Sequence, residues 1–299
     1  MINVMLQSLK NIIPSQLKSV GNKLLRQYFT ISNMHNIWKR TDPSDWPLSE
    51  LINKQGIEKY EYSLFSQNGE DGIIRYLFSE IGFCSKLFLE FGFGVTESNS
   101  LRLILKEGFG GVFIDGNELS VKHFNQAAKS FGITNVQAIS RFLNLNNLET
   151  TITQSSLPKE IDLLSVDVDG NDYWFWEAIK SLSPRIVIVE YNASLGPELS
   201  LSTPYDPAFN RHEKHSSGFY CGASIKAFEK LGKKKGYSLI GCDSNGVNAF
   251  FVRDDCLTEN IKVISSPLAY RPHKSRLERG FSVEDQFTII KDMPFVSIE

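Results

Sequence analysis

The stretch LFLEFGFGVTESNS, residues 87–100, reads as a short apolar strand that ends in a glutamate, meets two glycines one residue apart, and turns polar. Glycines directly after a buried strand let the backbone come close to a nucleotide-like ligand. Here the residues that follow Gly92 are Phe93, Gly94, Val95, Thr96 and Glu97, so glutamate stands where a dinucleotide fingerprint has its third glycine. A phosphate at that place needs the positive end of a helix. The carboxylates of Glu90 and Glu97 oppose it.

Working outward, the hydrophobic periodicity alternates between strand and helix. Ile73, Ile74, Leu77, Phe78 and Ile81 predict a helix over 69–81, with Gly82 as its cap. Strands are expected at 86–91, 111–114, 135–139, 161–168 and 185–191, with helices over 99–106, 119–131, 173–181 and 224–235 between and after them. Near-continuous apolar strands alternating with helices imply a parallel sheet covered on both faces. The end differs: YSLIGC and VNAFFV flank Ser244, Asn245 and Gly246, a hairpin signal. The expected fold is α/β, a Rossmann-like, seven-stranded, mostly parallel sheet closed by a terminal antiparallel hairpin. The domain spans 60–255, between a basic helical extension with its linker (1–59) and a C-terminal extension (256–299).

The chain has 299 residues and a formal charge of −2, which disfavours a nucleic-acid partner. Its four cysteines form no CxxC pair, so reduced thiols in a cytoplasmic protein are expected rather than zinc or disulfides. No apolar run is long enough for a membrane span. Residues 1–41 carry Lys10, Lys18, Lys23, Arg26, Lys39 and Arg40 with no acidic residue. Such a segment suits either peripheral contact with the inner face of a membrane or docking on its own domain or a second subunit, as in a homo-oligomer.

An acidic glycine turn favours a ligand with a cationic group and no phosphate, which fits S-adenosylmethionine. Asp115 closes the next strand, where a carboxylate can take both ribose hydroxyls. Asn117 in the same VFIDGNE run is counted with it, as are Glu90, Gly92, Gly94 and Asp167. The runs SQNGEDGIIRYLF, FLEFGFG, LLSVDVDGNDYWFWEAI and IVIVEYNASLGP resemble the FkbM-like branch of class I methyltransferases over about residues 60–255. The resemblance implies a methyl donor and O-methylation of sugars or related natural products.

A second acidic cluster lies at later strand ends. DVDGND supplies Asp167 and Asp169, and IVIVEYN supplies Glu190 and Asn192. Adjacent parallel strands would gather them at one cleft. Asp167, Glu190 and Asn192 are then candidate magnesium ligands, since a divalent ion would lower a sugar hydroxyl's pKa. Alternatively Asp167, Asp169 or His215 acts as a simple general base, and other carboxylates cap turns. The long connection 193–221 suits a binding loop, with Arg211, His212, Lys214 and His215 facing a nucleotide-linked or lipid-linked glycan. Tyr173, Trp174 and Trp176 are candidates for stacking on a sugar, with core packing as the plainer reading. The bases of 270–279 would join the acceptor site or an oligomer contact. The function expected is sugar or glycan O-methylation; the alternative is a metal-dependent glycosyltransferase using the DxD within DVDGND.

Overall fold

The computed structural model describes Met34, residues 36–48 and residues 54–299. Most of the basic amphipathic segment expected over 1–41 lies outside the described residues. Seven strands form one sheet: β1 Leu87–Phe91, β2 Gly110–Asp115, β3 Val136–Ser140, β4 Leu163–Val166, β5 Ile186–Glu190, β6 Tyr237–Cys242 and β7 Asn248–Arg253. Their spatial order is β3-β2-β1-β4-β5-β7-β6. Neighbours from β3 to β5 pair in parallel, whereas β7 runs antiparallel to both β5 and β6. The expected sheet and hairpin are therefore present, with the hairpin's second strand inserted beside β5. Strand order reverses between β1 and β4, which places a crevice beyond their carboxyl ends.

Each strand splits its side chains between two faces. Phe88, Phe113, Ile188 and Phe250 enter one apolar cluster, and Leu89, Phe91, Val112, Val187 and Phe251 the other. This two-residue alternation between two buried faces explains why the strands read as continuous apolar runs. The covering helices are α1 Glu70–Ile81, α2 Glu118–Ser130, α3 Leu148–Gln154, α4 Asp172–Ala178 and α5 Ile225–Lys235, with α6 Val283–Ile290 near the end. Of residues 99–106, expected as an α-helix, 99–100 form a bend, 101–102 are α-helical, and a π-helix follows over Leu103–Glu107. α3 has no counterpart in the sequence reading: LETTITQ is rich in β-branched residues, and burial of Leu148 and Ile152 holds it.

Packing does not break at residues 60 or 255. Met34, Trp38 and Ile57 are buried in the same cluster as α1 and β1. Trp38 packs on Phe124 of α2 and on Phe131 just past its end, and its indole donates to the Val95 carbonyl beside the glycine turn. Arg102, 3 % exposed, pairs in bidentate fashion with Asp42 at 2.8 and 2.7 Å. On the other side Ile261, Ala269, Ile290 and Ile298 are buried, and Val296–Ser297 pairs with Leu201–Ser202. The described parts of the flanking segments are layers of the same body.

Candidate functional site

Gly92 follows β1 with φ +69°, and a Cβ there would lie 1.8 Å from the Asp167 carbonyl oxygen. Only glycine lets the β1 turn pass this close to the β4 turn. Gly94 closes the turn against Glu97 through paired backbone bonds.

Glu90 does not project into open space. It is 2 % exposed, and its two carboxylate oxygens accept from the backbone N–H groups of Asn99 (3.1 Å) and Ser100 (2.9 Å). These amides begin the helical turn after the glycines, where a diphosphate would seek its donors. The carboxylate has taken them. Burial pushes the Glu90 carboxyl up to about 7, against the pull of these bonds.

A cleft of about 440 Å³ opens at the carboxyl ends of β1, β2 and β4. Gly92, Asp115, Asn117, Arg141, Phe142, Asp167 and Asp169 are among the residues lining it, so most of the expected donor set meets at one place. Asp115 is steadied by N–H donors from Phe93 and Asn117 and keeps an open face. The Asn117 Oδ1 is spent on the cap of α2, accepting from Leu119 and Ser120, so that oxygen is not available to the cleft. The sequence reading missed Arg141 and Phe142. Their signal was position, directly after β3, and Phe142 leaves 65 % of its surface uncovered.

A smaller cavity of about 80 Å³ adjoins the other side of Gly92. Glu70, Glu90, Glu97 and Asp167 line it, together with Gln67, Asn68 and Asn248, and among the described residues no lysine or arginine does. The SQNGED run thus reaches this cavity. Asp71 in that run is fully buried and accepts from the N–H groups of Leu64, Phe65 and Ser66, bracing the approach. Burial raises its carboxyl to about 6.

At the β4 and β5 ends, carboxylate oxygens of Asp167, Asp169 and Glu190 lie within 4.8 Å of one another. Asp169 holds a left-handed backbone, φ +56°, in the turn that Asp172 ties by accepting from Val168 and Gly170. Asp167 is open to the cleft yet deep in it. Loss of hydration there, with the charges of Glu190, Asp172 and Asp169, raises its carboxyl well above the ordinary range. Burial, then Glu190, pushes Asp172 up to about 8.

Five expected site residues stand elsewhere. Asn192 is turned from the cluster: its Nδ2 donates to the carbonyls of Phe219 and Cys221, and its Oδ1 accepts from Ser194 and Arg276. Both lone pairs are used, which removes it as a metal ligand. His215 bonds Ser217 within its own loop and does not line the cleft. Tyr173 and Trp176 are buried among Phe228 and its neighbours and offer no free face to a sugar, and Trp174, partly buried, donates to Thr203 and does not line the cleft.

The basic loop is largely neutralised internally. Lys214 pairs with Asp206. Arg211 donates to the Gly218 carbonyl through Nε and Nη2, and its Nη1 lies 3.0 Å from Asp169 and 3.9 Å from Glu190. From the C-terminal segment, Arg276 is buried against Asn192, Ser194 and the Phe219 ring. His273 is held neutral near these arginines, its pKa lowered to about 4 by burial and by Arg276, Arg211 and Arg279.

No protein-family model matches the chain. The comparison with curated proteins likewise gave no match. Among solved structures the chain is similar to an O-methyltransferase from Bacillus cereus in complex with SAH, at 16 % identity, over 75 % of this chain and 97 % of that one, with a TM-score of 0.41. It is also similar to the SAH-bound methyltransferase PaMTH1 of Podospora anserina, at 15 % identity over 81 % and 98 %, TM-score 0.42. A third is an S-adenosylmethionine-dependent methyltransferase from Clostridium acetobutylicum, at 11 % identity over 62 % and 92 %, TM-score 0.39. Likeness this distant says nothing of chemistry; the Rossmann-like fold rests on the strand order itself. Among the described residues no helix is long and apolar enough to cross a membrane.

Proposed function

We propose that the chain transfers methyl from S-adenosylmethionine to a hydroxyl of a neutral polyol, a sugar or glycan, in the manner the FkbM-like resemblance implies. The observation that carries this reading is the Glu90 carboxylate on the Asn99 and Ser100 amides. It fills the place a diphosphate would need, which disfavours both a dinucleotide and a sugar-nucleotide donor.

The residues present fit the donor. Asp115 is placed for the ribose hydroxyls, and exposed Phe142 offers a flat apolar wall for a base. The small cavity beyond Gly92 gathers carboxylates without a competing cation, which suits an ammonium. The donor supplies an electrophilic methyl carbon next to a sulfonium. Asp167 borders both cavities and carries a raised pKa, so it is the residue we assign to take the acceptor's proton. Alignment of the two reactants across Gly92 supplies much of the remaining acceleration.

A neutral acceptor is favoured over a phosphate-bearing one because Arg211 and Lys214 are already paired with carboxylates. Magnesium fits poorly: Asn192 is spent, and Arg211 sits on two of the three clustered carboxylates. No step is assigned to a metal. Calorimetry with S-adenosylhomocysteine tests the reading: saturable binding, weakened by Asp115→Ala, is expected. Tight binding of a nucleotide sugar or nicotinamide dinucleotide in its place would reverse it.

A further inference from the structure

We infer that Arg211 is the resident counter-cation of the Asp167, Asp169 and Glu190 cluster, standing where a divalent ion would sit, and that its removal creates a divalent-cation site.

Three carboxylates whose oxygens lie within 4.8 Å of one another repel unless a proton is retained among them or a positive charge is near. The guanidinium provides it. One edge of the fork is fixed on the Gly218 carbonyl, so Nη1 is aimed at Asp169 and Glu190 rather than waving in solvent. Only 22 % of the Arg211 side chain is exposed. The loop that carries it is itself seated on the β4 turn: Phe209, two residues earlier, packs so closely on Gly170 that a Cβ there would lie 2.4 Å from the ring. Arg211 is thus delivered to the cluster by packing as well as by charge.

A dication entering the cluster would meet a fixed guanidinium on two of its three ligands. It would also lack Asn192 as a neutral oxygen ligand, because that oxygen is engaged by Ser194 and Arg276. With the guanidinium gone, the same oxygens are left crowded and uncompensated. Hard oxygen ligands in that state favour a divalent cation.

The probe is Mn2+, followed by electron paramagnetic resonance on the full chain, with S-adenosylhomocysteine binding and a thermal melt run alongside. Wild type is expected to show no saturable Mn2+ site. Arg211→Gln is expected to bind Mn2+ at least about tenfold more tightly, and adding Asp169→Asn to remove the gain. Arg211→Lys, which keeps the charge, is expected to behave as wild type. Saturable Mn2+ on wild type that Asp169→Asn abolishes would overturn the inference, even if Arg211→Gln failed to fold. A folded Arg211→Gln without any gain would also overturn it. The readout does not depend on the donor, so either result leaves the methyltransfer reading to its own test.

Discussion

The Oε2 of Glu90 accepts a 2.9 Å hydrogen bond from the backbone N–H of Ser100, ten residues further along the chain. One carboxylate therefore shapes the turn after β1, fills the anion position, and borders the small acidic cavity. Truncating it to alanine strands the part-buried Asn99 amide and leaves the buried Ser100 amide with only Ser98 Oγ at 3.2 Å, a loss of about 1–3 kcal/mol in all. Glu90→Gln keeps an acceptor and isolates the charge. We expect Glu90→Ala to lower the melting temperature and abolish S-adenosylhomocysteine binding, and Glu90→Gln to weaken binding with a smaller loss of stability.

The raised Glu90 carboxyl makes stability and ligand binding respond oppositely to pH. Its folded pKa of about 7 lies above the ordinary glutamate value of 4.5, so the folded state holds the proton more tightly. That share of stability is complete below the unfolded pKa and is lost as pH rises through about 7. Ionisation over the same window strengthens the attraction for an ammonium. Thermal melts from about pH 5 to about pH 8 should fall, calorimetric affinity should rise, and Glu90→Gln should make both curves shallower, the rest of the fall in stability belonging to Asp71 and Asp172, whose carboxyls are raised to about 6 and about 8.

Asp115 and Phe142 test the wall that would hold an adenosine. Asp115→Ala removes up to two charge-assisted bonds and is expected to weaken S-adenosylhomocysteine by on the order of tenfold to a hundredfold. Phe142→Ala should weaken it with an unchanged melting temperature, because the ring is mostly uncovered in the free protein. Unchanged affinity in both variants would exclude this wall.

Asp42 and Arg102 make a separate stability test. Arg102 is 3 % exposed and also receives the Tyr62 hydroxyl as a partner. Asp42→Ala removes the bidentate partner and leaves the buried guanidinium with Glu107, 3.2 Å from Nη1, as its remaining carboxylate, a loss of about 1.5–3 kcal/mol. Urea unfolding should show it as a lower midpoint with an unchanged slope.

The sheet was legible because its strands are apolar on both faces, and the Asn245–Gly246 turn announced the hairpin. α3 was not, since Leu148 and Ile152 are helical through what they pack on rather than through propensity. The contribution of the chain before residue 60 was equally hidden, for Arg102 finds Asp42 across sixty residues. At the site, strand ends told which carboxylates gather; they did not tell where each points. Asp115, Asp167 and Asp169 face the cleft, whereas Glu90 bonds backbone amides, Asn192 carbonyls, and His215 its own loop. Those choices belong to loops whose partners are distant in sequence.

The insertion of β7 beside β5 bears on synthesis. Ile186, Val187, Ile188 and Val189 are almost wholly buried, yet one edge of their strand finds no partner until residues 248–253 have left the ribosome. Throughout that interval the nascent chain carries a sticky, unpaired β-edge. Stalled chains ending just before Asn248 should be cut readily by protease, and those extended past Arg253 with room to leave the exit tunnel should resist.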